Sequence, residues 1–121
     1  MPAMIDSDVV ANSADSCCKW LVYIIEAADG SLYTGITTDL VRRWRQHASG
    51  RGARYFRGRE PRSVVFVERG HDRVSASRRE AAIKALTRTQ KRLLIVAAQK
   101  QTAGILAELP AAKEWLETWN G

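Results

Sequence analysis

Two tyrosines ten residues apart, Tyr23 and Tyr33, flank the segment Ala27-Ala28-Asp29-Gly30, and that segment constrains the fold more than any other stretch. Trp20 to Glu26 is rich in β-branched and aromatic residues, and Ser31 to Ile36 resumes the pattern after the turn, which is a hairpin signature. Loop length then decides which side chains share a face, because a one-residue slip turns a whole strand over. A two-residue Asp29-Gly30 loop would pair Glu26 with Tyr33 and set the tyrosines on opposite faces. A three-residue Ala28-Asp29-Gly30 loop, with Gly30 left-handed in a bulge, pairs Ile25 with Tyr33 and Tyr23 with Gly35. The second register is the expected one. It puts both phenols on one face, uses Gly35 to make room for the Tyr23 ring, and leaves Trp20, Val22, Ile24, Leu32, Thr34 and Ile36 as a core surface.

Downstream, Thr37-Thr38-Asp39 offers N-cap candidates for a helix running to about Ser49, with Gly50 ending it. Its expected buried stripe is Leu40, Val41, Trp44 and Ala48, with Arg43 and His47 along one edge and Arg42, Arg45 and Gln46 pointing away. A third strand is expected over Ser63 to Glu68. Its unbroken Val64-Val65-Phe66-Val67 run implies cover on both faces. Ser75 or Ser77 could cap a second helix to about Leu86, carrying Glu80 and Lys84. A third helix is expected from about Thr89 to Lys100, then an interruption at Gly104, then a short amphipathic helix with Trp115, Leu116 and Trp119. The predicted domain plan is a disordered tail over 1–17, a domain over 18–100 and an extension over 101–121. The fold class is α/β (α+β), a small, mostly antiparallel three-stranded sheet flanked by helices.

Charge narrows the function. Of a formal net charge of +6, the informative part is local: between Arg42 and Arg62 stand eight arginines and His47 against one acid, Glu60, with no lysine. Arginine grips phosphate in a bidentate fork, and Tyr55 and Phe56 within the cluster could stack on bases. The expected nucleic-acid contacts are Arg45, Arg51, Arg54, Tyr55, Arg57, Arg59 and Lys84. The longest strongly apolar run, Leu93 to Ala98, is too short to span a bilayer, and no secretory signal opens the chain. Two adjacent cysteines, Cys17 and Cys18, favour neither a strain-free bridge nor a zinc-site spacing. A reduced, cytoplasmic protein is expected. Phenol, guanidinium, imidazole and a lone carboxylate in such a chain point to phosphodiester chemistry.

The ordered set Tyr23, Tyr33-Thr34-Gly35, Arg43, His47 and Glu80 resembles the GIY-YIG endonuclease family, in its small single-domain bacterial YhbQ-like branch. The run Ala28 to Asp39 and the run Arg78-Arg79-Glu80-Ala81-Ala82-Ile83-Lys84 are typical of that branch, and the likeness covers roughly Lys19 to Ala98. Two departures stand out. The first triplet of the family reads Leu21-Val22-Tyr23 here, and a late polar residue has Gln90 as its nearest counterpart. The resemblance implies a metal-dependent endonuclease acting on DNA, structure-specific and linked to repair, with RNA open as the alternative polymer. It implies one divalent cation, magnesium or manganese, on Glu80. Arg43 would stabilise the charged transition state, Tyr23 would help activate water, Tyr33 would assist or contact phosphate, and His47 would bond a phenol or the phosphate. The rival readings are a non-catalytic nucleic-acid-binding module and a homodimer or protein-interaction subunit working through the C-terminal helix.

Overall fold

The computed structural model describes residues 18–49, 56 and 59–109. The expected tail, Arg51, Arg54, Tyr55, Arg57 and the expected tryptophan helix lie outside these residues. Strand β1 (Trp20–Ala27) is followed by β2 (Leu32–Thr37), helix α1 (Leu40–Ala48), β3 (Pro61–His71), and helices α2 (Arg73–Lys84), α3 (Arg88–Ala97) and α4 (Gln99–Ala107). The sheet is antiparallel with order β2-β1-β3, so β1 is central.

The hairpin takes the three-residue loop. Ile25 pairs with Tyr33 and Tyr23 with Gly35, and Gly30 sits at φ 86°, where a β-carbon is disfavoured. The loop is tied down from outside. Arg88 and Arg92 of α3 donate to the Gly30 carbonyl, and Arg92 also bonds Glu26 at 2.8 Å.

Strand β3 is longer than Ser63 to Glu68, and it is not evenly paired. Ile24 faces Phe66 while Ile25 faces Val64, a register shift that leaves Val65 as the extra residue. Strict alternation would group Val64 with Phe66. The shift instead sends Val64 and Val67 to one face, and Phe66 with Val65 to the other. Both faces are covered, as the apolar run implied. Tyr23, Ile25, Leu40, Trp44, Phe56, Ile105 and Leu106 complete the first layer. Val22, Ile24, Ala76 and Ile83 form the second, flanked by Leu94 and Ile95. Helix α4 also engages β3 directly, because the buried Thr102 hydroxyl accepts from the Val67 amide at 3.1 Å.

Several helix boundaries differ from expectation. Asp72, not Ser75 or Ser77, caps α2, and Ser75 is its reciprocal partner in a capping box. Helix α3 starts at Arg88, close to the expected start near Thr89, with Thr87 as its cap and Gln90 as partner. Gly104 lies inside α4, whose Ile105 and Leu106 are buried, so the packed body continues past Lys100. Among the described residues, no helix is long and apolar enough to cross a membrane.

Candidate active site

The site forms where α1 crosses the tyrosine face of the hairpin. Asp39 caps α1 by accepting from the Arg42 amide at 3.1 Å, and the Thr37 hydroxyl accepts from the Asp39 amide. This start fixes the rotation of the helix, so that Leu40, Trp44 and His47, at i, i+4 and i+7, face inward. Ala48, expected in the buried stripe, is exposed, and His47 takes the inner position at 1% exposure. The physical reason is a partner: the Tyr23 hydroxyl meets His47 Nε2 at 2.9 Å, which satisfies a polar ring inside the core.

Tyr23 is itself fully buried and reaches this bond across Gly35. A β-carbon at Gly35 would lie 2.6 Å from the Tyr23 hydroxyl and 3.1 Å from the Tyr33 ring, so no larger residue fits beside both rings. The rings interlock: Tyr33 sits edge-on to His47 with centroids 5.3 Å apart and 6.2 Å from Tyr23. Phe56 closes the group, 5.1 Å from Tyr33 and 4.7 Å from His47. At 3% exposure Phe56 cannot stack on a base, contrary to expectation. Its ring instead packs against Tyr33 and His47.

Arg43 is half-buried beside the two phenols. Burial works against its charge, but hydrogen bonding and charge from Tyr23 and then Tyr33 outweigh it, so its pKa is raised. Its Nη1 donates to Gln46 Oε1 at 2.9 Å. Gln46 therefore turns into the site rather than away from it. A polar residue one turn beyond an arginine, as i+3, was the signal available in the sequence.

The electrostatics follow from this packing. Burial, then Tyr33 and to a lesser extent Glu80, push the Tyr23 phenol up, against an opposing pull from Arg43. Burial and then Arg43 lower His47 from 6.5 to about 4. At neutral pH the pair is thus phenol and neutral imidazole. With Tyr23 donating its hydroxyl proton, Nε2 accepts and the imidazole carries its hydrogen on Nδ1.

Glu80 projects from α2, partly buried, near enough for its charge to act on Tyr23. Its Oε2 lies 3.2 Å from Lys84 Nζ in an i,i+4 pair whose lysine is mostly exposed. Among the described residues no three His, Cys, Asp or Glu side chains gather into a metal cluster. A single carboxylate suits a hard cation that keeps most of its water and shares its shell with phosphate. The remaining expected contacts scatter. Arg45 is exposed on the outer side of α1. Arg59 pairs with Asp29 at 3.3 Å at the hairpin tip. Gln90, the nearest match to the late polar residue, is used in the cap of α3.

Beside Arg43 and Gln46 opens a cleft of about 310 Å³ that continues past Arg42 to Asp39, Thr38 and Thr37, with Trp20 and Ile36 as its apolar wall.

Residues 19–93 match the model of the GIY-YIG catalytic domain. The UPF0213 protein DP2720 of Desulfotalea psychrophila is 51% identical over 87 residues, covering 71% of this chain and 79% of that one. The UPF0213 protein YhbQ of Escherichia coli is 47% identical over 76 residues, covering 63% and 76%. The solution NMR structure of the UPF0213 protein BH0048 from Bacillus halodurans shares 44% identity, with a TM-score of 0.45, over 66% of this chain and 85% of that one.

Proposed function

The chain belongs to the GIY-YIG family, and from that premise we propose that it is a divalent-metal-dependent endonuclease hydrolysing phosphodiester bonds in DNA. The substrates proposed are nicked, flapped or branched DNA of the kind met in repair, whose exposed backbone one small basic domain can reach. The observation that carries the reading is the buried Tyr23–His47 bond beside Arg43, a polar arrangement the core has no structural need for.

The attacking group is water, and a bond from its oxygen to phosphorus forms as the bond to the leaving sugar oxygen breaks. Tyr23 is too well protonated to act as a standing phenolate. Tyr23 is buried in the free protein, so its relay role requires that substrate docking bring the water to its oxygen. That oxygen then takes the proton of the water while its own proton passes to His47 Nε2. His47 is a weak base in the free protein, held down by burial and by Arg43. A phosphate docked on Arg43 offsets that positive charge, so binding itself raises the proton affinity of the imidazole. Arg43 then stabilises the charge that builds on the non-bridging oxygens, and Gln46 keeps the guanidinium in place. Tyr33, partly exposed, contacts the phosphate. A magnesium or manganese ion held by Glu80 would supply Lewis-acid stabilisation and a more acidic water.

The Glu80–Lys84 pair favours a second reading, a nucleic-acid-binding module without turnover, because the lysine already occupies the carboxylate. Labelled linear, nicked, flapped and four-way DNA, incubated with magnesium, manganese or EDTA, separates the two. Cleavage that needs the metal and disappears in Glu80→Ala supports the nuclease. Salt-sensitive binding with no product on any substrate would leave the binding module.

A further inference from the structure

We propose that the cleft beside Arg43 is a subsite for the nucleotide next to the bond that is cut, selective for a base bearing an exocyclic amine. It rests on the nuclease reading for the position of the scissile phosphate, and extends it to substrate choice. Arg43 and Gln46 line both the tyrosine site and this cleft, so a chain whose phosphate sits on Arg43 must place a neighbouring nucleotide here or nearby. At about 310 Å³ the cleft lies at the small end of the ~300–1,000 Å³ range of ligand sites, a size that suits one nucleotide rather than a duplex end.

The lining is divided in a way that orients such a ligand. Trp20 and Ile36, both partly buried, give an apolar wall. Arg73 lies over the Trp20 ring at 5.9 Å from its centroid and steadies that wall from α2. Arg42, exposed at the start of α1, supplies a second guanidinium beside Arg43. At the other end stands the Asp39 carboxylate. A phosphate would be repelled there, whereas a base amino group would be accepted, as carboxylates accept from cytosine N4. The cap of α1 uses one acceptor position of Asp39, and a carboxylate offers about four. Thr38, exposed beside it, adds a hydroxyl that can donate or accept. The phosphate end therefore lies toward Arg42 and the base end toward Asp39.

The test uses the full chain labelled with nitrogen-15, in EDTA, titrated with the dinucleotides d(CpC) and d(TpT). Both should shift the Trp20 indole and Thr38 amide signals, with d(CpC) bound about tenfold more tightly. Asp39→Asn keeps a good N-cap and should erase that preference. Arg42→Ala should weaken both dinucleotides about tenfold, the effect of one charge-assisted hydrogen bond. DNA that is cut while Trp20 and Thr38 stay unmoved, or an undiminished preference in Asp39→Asn, would overturn the subsite and leave the nuclease intact. Shifts at the cleft with the expected preference, on a protein that cuts no DNA, would support the subsite and overturn the nuclease.

Discussion

On one side of the sheet Val22, Ile24, Phe66, Ala76 and Ile83 meet as hydrocarbon, whereas on the other Tyr23, Tyr33 and His47 are packed around a hydrogen bond beneath a guanidinium. Both sides exclude water equally well, since Ile24 and Tyr23 are each at 0% exposure. They differ in what burial costs. An apolar layer needs only volume and shape, while a buried phenol and imidazole need polar partners, and here they bond each other. The aliphatic side holds the sheet together, and the aromatic side carries groups whose arrangement makes sense as chemistry.

If the two sides divide labour in this way, substitutions on them should separate rate from stability. The largest effect belongs to Arg43→Ala. Cleavage should fall by about 10²–10³-fold, as for loss of one transition-state donor, with a thermal melt close to that of the parent. Gly35→Ala comes next. The methyl must displace both tyrosine rings, so a loss of about 1–3 kcal/mol in urea unfolding should accompany the loss of cleavage. Ile24→Val on the opposite side should cost about 0.5–1.5 kcal/mol and leave the rate alone.

The pH dependence of stability offers a finer test. His47 is held near 4 in the fold against 6.5 in the open chain, so below pH 6.5 the unfolded state binds the extra proton. Stability should therefore fall as pH drops from 6.5 toward 4 and level off beneath that, by at most about 3 kcal/mol from this group. Urea midpoints of His47→Gln should lack this part of the slope. The smallest effect is expected from Thr34, whose buried hydroxyl on the aliphatic side finds no partner among the described residues. Thr34→Val should unfold no more easily than the parent, because an unpaired buried hydroxyl contributes nothing to be lost.

What the sequence alone made legible was set by local rules. The hairpin register followed from turn chemistry and from the space Gly35 must leave. With it came the shared face of Tyr23 and Tyr33 and the approach of Arg43. Where the outcome depended on a distant partner, sequence reasoning missed it. His47 and Ala48 flank the inward direction set by Leu40 and Trp44, about 100° apart on the helical wheel, and apolarity favoured alanine. The Tyr23 hydroxyl, 24 residues away, makes the inward histidine better. Phe56 sits in an arginine-rich stretch whose composition suggests solvent, yet its ring completes the layer formed by Tyr33 and His47. Gln46 was assigned to solvent because the wheel has no term for the hydrogen bond to Arg43. The cap at Asp72 was missed by a few residues, since Ser75 and Ser77 crowd the same junction.

The most direct measurement removes a single oxygen. Tyr23→Phe keeps the ring that fills the core and deletes only the hydroxyl that meets His47. Its cleavage of a labelled DNA should drop to background with magnesium present, while its amide spectrum stays that of the folded parent. A folded Tyr23→Phe protein that cuts at the parent rate would show that the buried hydroxyl takes no part in the hydrolysis.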